Sequence, residues 1–467
     1  MNVNVGLVSL GFTKFRVDIA QSYLGATEAL LRSQSDVEVS VVPKVVTEER
    51  EVTHAVDVLA RDKVDMIIVQ CGTFSMGRTI VVLAEAIPAT PLFLWGFREP
   101  ATPGVPALPL NSLCGLNMSA SFLYKLRRRF SALYASVDEE EAKTTVQRWI
   151  AAIRLRKSLR RARFCSIGER APGFYRAGVD ELRFTRTIGP EIIYHSVGEV
   201  VEAARRYTDD EVSEEVERIY GEVDLVEATR EAVERSARVY RAVRTLGEEH
   251  DVAAFAIRCW PEFQTLYRVA VCGVVSRLNN EGVVVSCEGD IPALATMVIQ
   301  DAISDRPPFL ADLVNMTPEG VVKAWHCGPA ARCLADPTAR TRYIEHPTIK
   351  EGIGMAADFP LAGGRVTMAK LSEDEGCYKL LIAPGTAVRP DRELSGNHVD
   401  IVFDCGGPAL LDAILSHGIE HHYSIAYGDD TATLLEFCKW SNIEPVLLAG
   451  SDGAPHGVSS AQGAMHG

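Results

Sequence analysis

The strongest constraint on the fold is the spacing of short β-rich apolar runs through the first third of the chain. Residues 3–8, 37–42, 65–70 and 91–95 are such runs, and each pair is separated by a stretch long enough for an amphipathic helix. Strands alternating with helices of this length build parallel βαβ units in a doubly wound sheet. Such sheets present ligand-binding residues at the carboxyl ends of their strands. The segment Cys71-Gly72-Thr73-Phe74-Ser75 stands at one such end. A long helical stretch over residues 120–163, heavy in Arg, Lys and Glu, closes this first unit.

The alternation restarts at residues 163–168 and continues through acidic helices over 209–248 to apolar runs at 252–257 and 283–286. After about residue 307 the pattern changes. Residues 364–371 and 378–383 read as neighbouring strands joined by the acidic turn Ser372-Glu373-Asp374-Glu375-Gly376, an antiparallel, barrel-like pattern. A last helix over 431–440 leads into an apolar run at 445–449. The expected architecture is therefore α/β, with two doubly wound, Rossmann-like parallel-sheet domains and a C-terminal mixed α+β domain built on an antiparallel barrel-like sheet. The boundaries expected are 1–160, 161–305 and 306–467. The length of 467 residues agrees with about three domains at roughly 150 residues each.

Charge narrows the partners. The formal charge is −14, from 48 basic and 62 acidic residues, which argues against a nucleic-acid partner that needs a concentrated basic surface. The one basic cluster, residues 154–163, reads as a solvated helix face. The eleven cysteines form no paired framework, and the odd count without a signal peptide points to a reducing cytoplasm. Cys327 and Cys333 are followed by no second pair at zinc-ribbon spacing, so no structural zinc site is expected. No apolar run approaches the ~20 residues that span a bilayer. The tail from Ser451 is rich in Gly, Ser, Ala and His and reads as disordered.

The chemistry concentrates in a few segments. In Val283-Val284-Val285-Ser286-Cys287-Glu288-Gly289-Asp290-Ile291-Pro292 an apolar strand ends in two acids before a helix. Asp290 is placed to cap that helix, which carries Pro292 in its first turn. Glu288 has no capping role, and beside Gly289 it reads equally as a ligand-facing group or a surface ion pair. Asp312 follows a proline-led apolar approach and, by itself, reads as a capping or turn residue. His326, among small and apolar residues, reads as a hydrogen-bonded core histidine. His421 and His422 lie on an extended segment and point in opposite directions, so one of them faces any given site. Two carboxylates and one imidazole make a hard O/N set that suits Mn²⁺, with Mg²⁺ or Co²⁺ as alternatives. The short glycine runs at 352–354 and 406–407 lack a dinucleotide fingerprint and read as turns.

Several of these segments together resemble the L-fucose/L-arabinose isomerases. Arg258-Cys259-Trp260-Pro261-Glu262-Phe263-Gln264, Ser276-Arg277-Leu278-Asn279 and Cys287-Glu288-Gly289-Asp290 look like the central domain of that family, in consistent order. Gly72-Thr73-Phe74-Ser75 and the pair His421, His422 resemble its arabinose branch. The resemblance implies Glu288 and Asp312 as catalytic carboxylates, and Glu288, Asp312 and His422 as ligands of Mn²⁺. It gives Trp260, Gln264 and His326 as sugar contacts, although Trp260 and Gln264 read equally as core packing. Ser119 stands where the arabinose branch carries a histidine, which counts against L-arabinose as the substrate. The reaction implied is aldose–ketose isomerisation of a pentose, 6-deoxyhexose or C6-substituted hexose through a cis-enediol. A trimer or hexamer with sites at subunit interfaces is expected with it. The rival readings are a non-catalytic sugar-binding or regulatory protein, and a metal-dependent epimerase or hydrolase.

Overall fold

In the computed structural model, which describes residues 1–100, 108–349, 353–390 and 394–450, the first five strands form one parallel sheet. These are β1 (Val3–Leu10), β2 (Val37–Val41), β3 (Met66–Cys71), β4 (Leu92–Gly96) and β5 (Phe130–Tyr134), in the order β2-β1-β3-β4-β5. Val5, Leu7, Ile67, Ile68, Leu92 and Phe93 are all fully buried. Burial on both faces is the signature of a parallel sheet covered by helices. This sheet and its helices make up one compact unit, Met1–Ser158, and a second unit comprises Leu159–Gly467. The tail from residue 451 and Gly352 lie outside the described residues.

The stretch expected to be one long helix over 120–163 is instead a helix (Ser112–Lys125), the strand β5, and a second helix (Glu140–Leu159). The first helix ends where Arg127 takes a left-handed backbone with φ of 54°. The next residues, Phe130-Ser131-Ala132-Leu133-Tyr134, bury Ser131 and Leu133 and expose Ala132, a period of two that belongs to a strand. Charge content hid that alternation. In the second helix Ala142, Val146, Trp149, Ile150 and Ile153 are buried, at helical spacing. Its basic face is spent locally, with the Lys157 ammonium 2.6 Å from Asp65.

In the second unit, β6 (Arg163–Ile167), β7 (Glu191–His195), β9 (Ala254–Ile257) and β10 (Val284–Cys287) form a parallel sheet in the order β10-β9-β6-β7, while β8 (Leu225–Val226) joins a different sheet. That other sheet closes on itself. Strands β11 (Phe309–Met316), β12 (Val322–His326), β15 (Gly364–Asp374), β16 (Cys377–Val388), β17 (Asn397–Phe403) and β18 (His422–Tyr427) pair antiparallel all the way round, with β16–β17 completing the ring. The barrel is extended by β8, β13 (Arg342–Glu345) and β14 (Gly354–Pro360) beyond β17, and by β19 (Glu444–Leu447) beside β16. Phe309, Ala311, Val366, Met368, Leu381, Ile401 and Ile425 belong to its core. The acidic connection expected between β15 and β16 is present as the two-residue turn Glu375-Gly376, both residues at positive φ. The glycines at 406 and 407, read as a turn, open the helix Gly407–Ser416, with Gly406 as its N-cap.

One helix ties the central sheet to the barrel. Ile291–Asp301 leaves the carboxyl end of β10, and nearly all its residues are buried. Thr296 Oγ1 accepts from the Leu371 amide at 2.9 Å, and the Gln300 amide nitrogen donates to the Thr367 carbonyl at 2.8 Å. Both contacts reach β15. The middle and end of this helix are thereby held against β15, the barrel strand that pairs with β18.

Candidate active site

The turn after β10 is built to aim one side chain. Glu288 has φ of 61° and Gly289 φ of 69°, a left-handed pair that costs a residue with a side chain about 1–2 kcal/mol. The surrounding backbone holds it there. The Glu288 carbonyl accepts from Ala171 at 2.9 Å, and the Gly289 amide donates to Ile257 at 3.2 Å. A β-carbon at Gly289 would stand 1.8 Å from the Glu169 carbonyl oxygen. Gly289 passes close to the loop after β6, so its role is to let two loops touch.

Asp290 caps the following helix as expected, its Oδ1 accepting from the Ala293 amide at 2.7 Å. It also does something the sequence did not reveal. Its Oδ2 lies 2.9 Å from His422 Nδ1 and 3.1 Å from the ammonium of Lys370, a wholly buried lysine on β15. A carboxylate on Nδ1 fixes the imidazole and leaves Nε2 as the free nitrogen. That nitrogen is 2.9 Å from Glu288 Oε2 and 3.9 Å from Asp312 Oδ1.

Asp312 is not a turn residue. It sits on β11 directly opposite His422 of β18 in antiparallel register, so both side chains project from the same face of the sheet. The proline-led approach ends at Pro308, before the strand begins. The two adjacent histidines differ in burial, His422 being buried and His421 exposed, but they do not point to opposite sides as strand alternation led one to expect. The His421 and His422 rings lie within 4.1 Å between centroids. Donor atoms of Glu288, His421 and His422 fall within 4.8 Å of one another.

A cavity of about 430 Å³ opens above these groups. Glu288, Asp312, Trp260, Gln264, Trp325 and His326 all line it. The Trp260 indole N–H donates to Glu288 Oε1 at 2.6 Å. The Gln264 amide nitrogen donates to the Cys259 carbonyl at 2.9 Å, and its oxygen has no partner. His326 is 4% exposed; its Nδ1 accepts from the Cys327 amide at 2.9 Å, and its Nε2 has no partner. Trp325, which sequence reasoning passed over, is the register neighbour of Asp312 on β12. Strand alternation around Asp312 was the available signal for it.

The charges in the site are unequal. Burial works to raise the Glu288 carboxyl, but the hydrogen bond and charge of His422 and the Trp260 donor outweigh it, so the group is held below its ordinary value. Burial likewise opposes ionisation of Asp290, and Lys370 and His422 outweigh it. At Asp312 burial wins over the two histidines, with the Glu288 charge adding to it, and the carboxyl is raised. Burial would lower His422, yet Asp290 and Glu288 raise it to about 9. Asp312 Oδ1 is buried without a hydrogen-bond partner, while His422 Nε2 faces Glu288 Oε2 at 2.9 Å. The donor atoms that gather closely enough for one hard cation are those of Glu288, His421 and His422, and Asp312 adjoins them at 3.9 Å from His422 Nε2.

The fold is mixed α/β, with a cavity lined by the carboxylates of Glu288 and Asp312 and the carboxylate-oriented His422 imidazole beside them. No family model matches the chain. Its relatives, however, share one description. The sulfoquinovose isomerase of Priestia aryabhattai is 28% identical over 445 residues, covering 95% of this chain and 98% of that protein. The sulfoquinovose isomerase of Alkalicoccus urumqiensis is 28% identical over 82% of this chain and 86% of its own. That of Clostridium sp. (strain MSTE9) is 26% identical over 94% and 98%. Matches of that extent indicate an isomerase. A solved solute-binding protein of an ABC transporter from Agrobacterium vitis, bound with α-D-tagatopyranose, is 12% identical over 56% of this chain and 78% of its own. Its TM-score of 0.17 is too low to bear on the fold.

Proposed function

We propose that the chain is a metal-dependent aldose–ketose isomerase acting on a hexose substituted at C6, with sulfoquinovose as the first substrate to test. The observation that carries the reading is the meeting of Glu288 and Asp312 at the free nitrogen of His422, under a sugar-sized cavity. The C6 substituent rests on the relatives, which are sulfoquinovose isomerases matched nearly end to end.

In this reading Glu288, Asp312 and His422 hold Mn²⁺, with Mg²⁺ or Co²⁺ as alternatives. A bound divalent ion supplies Lewis acidity at the sugar carbonyl and its neighbouring hydroxyl. The protein's own groups do the rest. One of Glu288 and Asp312 takes the proton from the carbon beside the carbonyl, and a carboxylate returns it to the neighbouring carbon through a cis-enediol. Positioned acid–base groups of this kind contribute about 10²–10⁴-fold. Asp290 and Lys370 hold His422 in its orientation. Trp260 turns its indole N–H onto Glu288, fixing the carboxylate while its ring faces the cavity. Gln264 and His326 each keep an unpartnered polar atom for a sugar hydroxyl. Assembly as a trimer or hexamer, with a neighbour's N-terminal domain completing the site, belongs to the same reading; light scattering on the purified chain tests it.

Proton exchange tests the chemistry. Incubation with Mn²⁺ and sulfoquinovose in deuterated water should place deuterium at C1 or C2 of the recovered sugars. No exchange with sulfoquinovose, with other C6-substituted hexoses, or with any pentose or 6-deoxyhexose overturns the proposal.

A further inference from the structure

The cavity has a second cluster of metal-ligating groups on another part of its wall. Cys272, Cys327 and His346 each offer a ligand atom, and the three atoms lie within 4.8 Å of one another. All three residues line the cavity. They come from separate elements: the first residue of the helix Cys272–Asn280, the residue after β12, and the residue after β13. None of them is used by the chemistry proposed above. Cys333, the sequence neighbour of Cys327, is exposed, and the thiol that stands beside Cys327 is that of Cys272.

The spacing of the sulfurs says what they suit. Cys272 Sγ and Cys327 Sγ are 3.6 Å apart. A disulfide needs about 2.05 Å. Two thiolates on one tetrahedral Zn²⁺, each about 2.3 Å from it, stand roughly 3.8 Å apart. Cys272 opens a nine-residue helix, which fixes where its sulfur stands. Among the described residues the His346 Nδ1 accepts from the Thr348 and Ile349 amides and meets the Thr348 hydroxyl, each at 3.3 Å, the long end of the hydrogen-bond range.

We propose that Cys272, Cys327 and His346 form a second cation site, for a thiophilic divalent ion of the Zn²⁺ type, on the wall of the substrate cavity. The ion replaces the two thiol protons, which leave to solvent, and takes one imidazole nitrogen. Three protein ligands leave the fourth position open to the cavity, the arrangement of a reactive rather than a closed structural zinc site. This site differs in chemistry from the carboxylate set: two sulfurs and a nitrogen select soft ions, whereas Glu288, Asp312 and His422 select hard ones.

Cadmium is the probe, because a Cd²⁺–thiolate bond has its own ultraviolet charge-transfer band. The full chain, with Mn²⁺ in excess to occupy the carboxylate site, is titrated with Cd²⁺. The expected result is one Cd²⁺ per chain with a band of two-thiolate intensity, lost in Cys272→Ser and in Cys327→Ser and kept in Glu288→Gln. His346→Ala, at a half-buried position, should weaken binding by about tenfold or more, and it serves where a serine variant fails to fold. Three results overturn the proposal: no band at one equivalent, a band that survives both serine variants, or loss of the two thiols to a disulfide with no cation bound. Because the readout is binding, it stands whether or not the isomerase reading holds.

Discussion

β3 and β10 are both buried strands of parallel sheets, both end in cysteine, and both run into a glycine-containing turn, yet only the turn after β10 leads into the candidate site. After Cys71 the residues are neutral and close on their own unit. Thr73 Oγ1 accepts from the Phe12 amide at 2.8 Å and donates to the Phe74 carbonyl at 2.8 Å, while Ser112 Oγ donates to the Cys71 carbonyl. After Cys287 come Glu288 and Asp290, two carboxylates with 17% and 4% of their side chains exposed. Buried charges cannot be satisfied by a turn alone. They recruit Lys370 from β15 and His422 from β18, and with His422 comes Asp312 of β11. A neutral strand end can be finished locally; a charged one draws in the next layer of the fold.

The comparison can be broken most directly at its charged end. Glu288→Gln and Asp312→Asn should each lower turnover by about 10²–10⁴-fold, with the circular dichroism spectrum and unfolding midpoint close to those of the parent. Full activity in either variant would refute the assignment of these carboxylates. Next is the partner that the charges recruit. Lys370→Met leaves Asp290 buried beside one cation fewer and should cost about 3–5 kcal/mol in denaturant unfolding. If the ion pair is the cause, Asp290→Asn combined with Lys370→Met loses less than Lys370→Met alone; equal losses would assign the effect to packing. The smallest effect is expected at the neutral end. Thr73→Val removes one acceptor from a half-buried amide and should cost about 1 kcal/mol. A loss there as large as that of Lys370→Met would erase the distinction between the two turns.

Much of the fold was legible from periodicity. Alternating β-rich runs and amphipathic stretches led to the parallel sheets, and the paired runs around residues 375 and 376 led to the antiparallel module. Residues 120–163 were misread because β5 is five residues long and flanked by arginine and glutamate, so local charge outweighed a brief alternation. At the site, the cap at Asp290 follows from a local rule that needs only neighbours in the chain. Asp312 does not. Its bearing depends on lying opposite His422, 110 positions later, and register between distant strands is set by the barrel's closure rather than by either segment.

Lys370 marks the same limit. In sequence it is one cation in a β-rich run, and nothing nearby distinguishes it from a solvated lysine. In the structure it is fully buried against Asp290. Backbone propensity, helix caps and apolar periodicity act over a few residues, so the chain carries them in readable form. Which carboxylate meets which imidazole, and which cysteine stands beside which, depends on contacts from 55 positions apart (Cys272 and Cys327) to 134 (Glu288 and His422). Those distances are closed by the packing of helix Ile291–Asp301 between central sheet and barrel, and the chemistry of the cavity follows from that packing.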